Sequence, residues 1–166
     1  MKSSFHALAL AGPLRVRQLA STTLIANELR RARRQVDGIA DVRTRIASMR
    51  KAAVPARTIQ EEGRAAGLQE SVQSLADVLY SVQARGLGRA GVVEESNEHL
   101  ILRVFECACC CSGAVLEGGC AYVEGFLAGC LQSTGRWARV EVKEIECGGG
   151  PGEVCLFRAE LGSRER

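Results

Sequence analysis

Cys120, Glu144, Cys147 and Cys155, gathered in the last third of the 166-residue chain, constrain what this sequence can become more than any other feature. Three soft thiolates and one carboxylate make a complete four-coordinate zinc shell, the closed arrangement typical of structural sites. Cys147 and Cys155 flank GGGPGEV, whose four glycines and one proline predict a tight turn that brings two strand-end thiols together. Cys120 opens a helical stretch, where the positive end of the helix favours a thiolate. Glu144 lies three residues before Cys147, and strand residues at that spacing face opposite sides. The pair therefore meets one ion only if the strand ends or bulges near Glu146. Spacing alone leaves a second reading open, because free cysteine is commonly a small buried hydrophobe.

The order of Cys120, Gly125 and Gly129, a strand ending in Glu144 and Cys147, and Cys155 eight residues beyond Cys147 resembles the 4-vinyl reductase domain. That family is named after a protein of bacteriochlorophyll synthesis and occurs in many small-molecule sensors. Upstream, a helix, a GlyLeuGly turn and a strand closing on Cys107 extend the resemblance over roughly residues 55–162. In aromatic-responsive regulators of the NtrC type that carry this domain, the matching cysteines and glutamate hold zinc. The resemblance thus implies zinc as cofactor on Cys120, Glu144, Cys147 and Cys155. It also implies an α+β fold distantly similar to TRAPP subunits and a pocket for a small hydrophobic or aromatic ligand. Candidate wall residues are Leu79, Tyr80, Phe105, Phe126 and Trp137, each of which also suits plain core.

Local patterning gives the same class of fold. Helices are predicted over 22–50, 56–66, 69–84 and 119–133, and strands over 98–107, 138–146 and 153–161, an antiparallel sheet with helices packed on it. Cys120, Val123, Leu127 and Leu131 share one face of the last helix, while Gly125 and Gly129 permit close approach to a sheet. Two parts follow, a basic helical extension over 1–52 and a ligand-binding domain over 55–162. No stretch approaches the ~20 apolar residues of a membrane helix, and the expectation is a soluble, cytoplasmic protein.

The extension holds eleven Lys or Arg against Glu28, Asp37 and Asp41, a net of +8 that leaves −5 on the remainder. A basic arm can meet nucleic acid or an acidic partner. Neither a helix-turn-helix pattern nor aromatic stacking residues support nucleic acid, with aromatic content only 4%. The stripe Ile25, Leu29, Ala32, Val36, Ile39, Val42, Ile46 and Met49 recurs at steps of three and four, which suits helix pairing and a homodimer, or packing on the chain's own domain.

The run Cys107, Cys109, Cys110 and Cys111 argues against a disulfide framework and for reducing conditions. Cys107 and Cys110 have CxxC spacing, which suits a second metal or redox cluster; a strand end rich in small buried residues fits equally. Cys130 is expected in the core. An enzyme is disfavoured, since no strand-linked GxGxxG offers a hydride source, His6 and His99 are the only histidines, and a closed metal shell has no open position for catalytic water. The functional expectation is a zinc-stapled small-molecule sensor acting through an unidentified protein partner. The alternatives are a reductase or accessory protein for 4-vinyl groups, and a structural assembly subunit.

Overall fold

The computed structural model describes residues 42–110, 119–148 and 153–162. Most of the expected extension, the stripe from Ile25 to Ile39, His6 and Cys111 lie outside them. Helix α1, described over 42–51, is followed by α2 (Ala56–Leu68), α3 (Leu75–Ala84), β1 (Arg89–Glu95), β2 (His99–Phe105), α4 (Ala121–Ser133), β3 (Arg139–Glu146) and β4 (Val154–Gly162). The strands form one antiparallel sheet in the order β1-β2-β4-β3. The fold is thus α+β, as the patterning predicts.

Period-two alternation makes the sheet one-sided. Leu100, Leu102 and Val104 of β2, Cys155, Phe157, Ala159 and Leu161 of β4, and Val140 and Val142 of β3 are buried, while Arg103, Arg158, Glu141 and Lys143 face solvent. Helix α4 packs against β3 on one side and α2 on the other. Every residue from Ala121 to Leu131 except Glu124 is buried, which is the pattern of a helix covered all round.

Glycine determines how α2 and α4 meet. Gly63 and Gly67 of α2 face Gly125 and Gly129 of α4. A Cβ on Gly125 would stand 1.9 Å from the Gln60 carbonyl oxygen, and one on Gly63 2.2 Å from that of Tyr122. The glycines of α4 therefore serve approach to a helix, and the expectation that they face the sheet is corrected. The physical reason is that strand side chains hold α4 off the sheet, whereas two glycine-faced helices touch at the backbone.

Two further expectations are adjusted. The helix drawn over 69–84 begins only at Leu75, because Ser74 and Asp77 form a capping box. The Asp77 N–H donates to Ser74 Oγ at 3.2 Å and the Ser74 N–H to Asp77 Oδ2 at 2.9 Å. Strand β1, absent from the sequence reading, pairs along β2 with an irregularity between Val92 and Glu94. At the described end of the apolar stripe, Ile46 is buried in the domain's own core, with Val42 and Met49 packed beside it.

Candidate metal centre

Four chain segments converge at one end of the sheet. Strand β2 ends at Phe105, and Glu106 takes a left-handed φ of 53°, turning the chain beneath the sheet end. The turn that follows is closed by the Cys110 N–H donating to the Cys107 carbonyl at 2.9 Å and fastened by the Ala108 N–H donating to the Leu87 carbonyl at 2.9 Å. Leu87 is itself held by the glycine turn, where Gly88 at φ 135° leaves no room for a Cβ beside the Phe105 carbonyl. Cys107, Cys109 and Cys110 all point into the interior.

Cys120 sits at the N-cap of α4. Its N–H donates to Glu144 Oε2 at 3.0 Å, so the carboxylate satisfies one of the orphan amides of the helix start. Gly119 makes this possible: its φ is 54°, and a Cβ there would meet Glu144 Oε2 at 2.3 Å. The reciprocal bond runs from the Glu144 N–H to Glu124 Oε1 at 2.8 Å, and Gln60 Nε2 donates to Glu124 Oε2 at 3.0 Å. Helix α2, α4 and β3 are thereby joined in sequence.

The bulge required for Glu144 and Cys147 to share a side is present, since the β3–β4 register shifts between Glu144 and Glu146. Cys155 lies near the start of β4, opposite Val104 of β2. The ligand atoms of Cys110, Cys120, Glu144, Cys147 and Cys155 all lie within 4.8 Å of one another. Cys110 Sγ is 3.3 Å from Cys120 Sγ and 3.2 Å from those of both Cys147 and Cys155. Cys120 and Cys155 are 3.9 Å apart, and Cys155 and Cys147 4.0 Å.

Cys107 and Cys109 complete a second trio with Cys120, at 3.4 Å between Cys107 and Cys120. Cys107 and Cys110 thus fall in two overlapping sets of ligating groups that share Cys120. Cys110 is the residue that sequence reading placed elsewhere, because CxxC spacing paired it locally while the fold turns it toward Cys147 and Cys155.

These separations suit one ion. Sulfurs of a tetrahedral zinc shell at ~2.3 Å from the metal lie ~3.8 Å from one another, and the distances from 3.2 to 4.0 Å bracket that edge. Proton affinities within the set are unequal. Hydrogen bonding with Cys107, then Cys120, holds the Cys155 thiol well below its ordinary value. Contact with Cys107 also lowers Cys109 and Cys110, while Cys107 itself is pushed up, first by its bond to Cys109. Glu144 Oε1 is buried and has no hydrogen-bond partner among the described residues. Such an atom costs roughly 1–3 kcal/mol unless something else meets it.

Beside the thiols is a cavity of about 490 Å³. Ile46, Val54, Pro55, Ile59 and Tyr122 give it apolar walls, with Arg50, Cys109 and Gly119 on the thiol side. Arg50 donates to the backbone carbonyls of Cys109 and, at 2.9 Å, Gly119. The wall residues expected from sequence are not among those lining it. Phe126 is fully buried core, Leu79 is packed against that core, and Tyr80 is 67% exposed. Phe105 lies beneath the guanidiniums of Arg89 and Arg103, and Trp137 beneath that of Arg136. Aromatic size favoured those residues in the sequence, but packing and cation stacking use their faces. The cavity is made instead by the α1–α2 turn, where Ala53 has a φ of 52° ahead of Pro55.

No described helix is long and apolar enough to cross a membrane. No family profile matches the sequence, and no curated protein matches it. Among solved structures, the chain is similar to a vinyl-4-reductase family protein from Methanocaldococcus jannaschii at TM-score 0.50 and 18% identity, over 62% of this chain and 68% of that one. It is also similar, at TM-score 0.38 and 15% identity, to trafficking protein particle complex subunit 3 from Naegleria fowleri, covalently bound to palmitic acid, over 90% and 96% of the two chains. The first likeness shows the fold: this chain has, at a distance, the architecture of a vinyl-4-reductase family protein.

Proposed function

We propose that this chain is a small-molecule binding module whose pocket wall is held by a zinc ion on the cysteine-rich cluster. The observation that carries the reading is the convergence of five metal-ligating side chains from the β2–α4 turn, α4, β3 and β4 within 4.8 Å, next to an apolar cavity. Zinc takes thiolate and carboxylate donors in closed four-coordinate sites and contributes folding energy directly. Here it would supply a staple that ties the β2–α4 turn and the start of α4 to the paired strands β3 and β4. The residues themselves do the rest: Glu144 caps α4 and Gly119 leaves space for its carboxylate.

Cys109 and Gly119 are sequence neighbours of the candidate ligands Cys110 and Cys120 and line the cavity. A compound seated there meets a surface positioned by the metal. The apolar lining and the cation at Arg50 suit a small, mostly apolar ligand, including an aromatic one. As a sensor, the domain would respond through whatever difference in affinity the ligand has for two packings of this wall.

The test is elemental analysis of protein purified without added metal, as wild type and as Cys147→Ala combined with Cys155→Ala. About one zinc per chain, lost together with thermal stability in the double variant, supports the reading. Metal-free wild type with unchanged melting in the variant refutes the staple.

A further inference from the structure

Five side chains compete for the four positions of a zinc shell, and the resemblance to the sensors assigns one of those positions to Glu144. The geometry points to a different fourth ligand: we infer that the shell is four thiolates, Cys110, Cys120, Cys147 and Cys155, with Glu144 outside it. This rests on the metal reading above and specifies its chemistry.

Contact decides between the two candidates. Cys110 Sγ lies 3.2–3.3 Å from each of the other three sulfurs, as an apex over their triangle. No other sulfur in the set has short contacts to all three of its partners, since Cys120 and Cys155 stand 3.9 Å apart and Cys155 and Cys147 4.0 Å. One oxygen of the Glu144 carboxylate is engaged elsewhere. Its Oε2 accepts the Cys120 N–H at 3.0 Å and lies against Gly119, where it caps α4. That bond fixes the backbone that presents Cys120, so Glu144 positions a ligand rather than serving as one, leaving Oε1 as a buried acceptor beside the shell. Ligand softness favours the same choice, because thiolate is the preferred donor where both are within reach of zinc.

The consequence for function is a direct tie between metal and pocket. Cys110 follows Cys109, whose carbonyl accepts from Arg50 and which lines the cavity. With Cys110 on the metal, the connection between β2 and α4 is fixed near its start as well as at Cys120. A shell of three cysteines and Glu144 would hold that connection only at its far end.

X-ray absorption at the zinc edge on the wild-type protein reads the shell directly, because Zn–S at ~2.3 Å and Zn–O at ~2.0–2.2 Å are resolved from each other. Four sulfurs and no oxygen in the wild type and in Glu144→Gln, and one sulfur fewer in Cys110→Ser, is the expected result. Three sulfurs with one oxygen in the wild type overturns it, as does a Cys110→Ser protein that still shows four sulfurs, which would give the position to Cys107 or Cys109. Wild type that carries no zinc overturns the metal reading itself. Should Cys110→Ser fail to fold, the wild-type and Glu144→Gln spectra still decide the ligand count.

Discussion

Replacing Gly125 with alanine adds one methyl group where, among the described glycines, an added Cβ would meet backbone most closely. The new Cβ would fall 1.9 Å from the Gln60 carbonyl oxygen and 2.8 Å from the Arg64 nitrogen, both backbone atoms of α2 that no rotamer change can move aside. Relief requires the helices to separate by more than ~1 Å, as ordinary carbon–oxygen contact lies beyond ~3.2 Å. Overpacked cores lose ~1–3 kcal/mol by measurement, with rigid surroundings at the upper end. Alanine returns about 1 kcal/mol of helix propensity. The net is a destabilisation of about 2 kcal/mol, a lowering of Tm by roughly 8 °C for a domain of this size.

The assay is urea unfolding followed by circular dichroism at saturating zinc, with Gly91→Ala as the control. At Gly91 the nearest atom to an added Cβ is the flexible Arg103 side chain, Nε at 3.2 Å, and the expected change is within ~0.5 kcal/mol. A Gly125→Ala protein as stable as the control would refute the close seam between α2 and α4.

Two further outcomes test the local chemistry. Asp77 is held below its ordinary value of 3.8 by the hydrogen bond from the Ser74 hydroxyl and then by the backbone amides of Gln73 and Ser74. Because its folded value is depressed, its stabilising effect is present above 3.8 and lost as pH falls through that lower value. Asp77→Asn should therefore melt below wild type at neutral pH and converge with it in strong acid, as read by thermal melts across the acid range. Cys130 lies in the middle of α4, fully buried, its thiol pushed up to about 12 by that burial. Cys130→Ala should lower stability by about 1 kcal/mol through a small cavity and leave zinc per chain unchanged by elemental analysis.

What could be read from the sequence was what depends on neighbours along the chain. Strand alternation in Leu100, Leu102 and Val104 and the helix opening at Cys120 follow local rules. Strand β1 escaped because RAGVVEE is exposed or half-buried throughout and carries a glycine. The false start of α3 came from extending a periodic pattern across Ser74, although Ser and Asp three apart mark a helix start. Gly125 and Gly129 were visible as a pair, but their true partners, Gly63 and Gly67, lie some sixty residues away and nothing local connects them. The same limit explains Cys110. Its CxxC spacing to Cys107 is a local signal, while its contacts with Cys147 and Cys155 are 37 and 45 residues distant.

The helix seam and the thiol cluster are two ends of one constraint. Gln60 of α2 donates to Glu124, Glu124 accepts the Glu144 N–H, and the Glu144 carboxylate accepts the N–H of Cys120. A shift of α2 along or away from α4 therefore reaches Cys120 through three hydrogen bonds, without passing through the core. The cavity lies where the same helix begins, between Ala56 and Ile59 on one side and Cys109 and Gly119 on the other. A compound that fits it pushes on the start of α2 and on the residues next to Cys110 and Cys120 at once. Closely packed interiors shift between discrete arrangements rather than deforming smoothly, and the glycine seam allows α2 little travel. Metal release and ligand entry should for that reason be thermodynamically linked, each altering the other's affinity by the same factor. The sign follows from whether the proposed ligand favours the wall in the arrangement that the proposed zinc would hold.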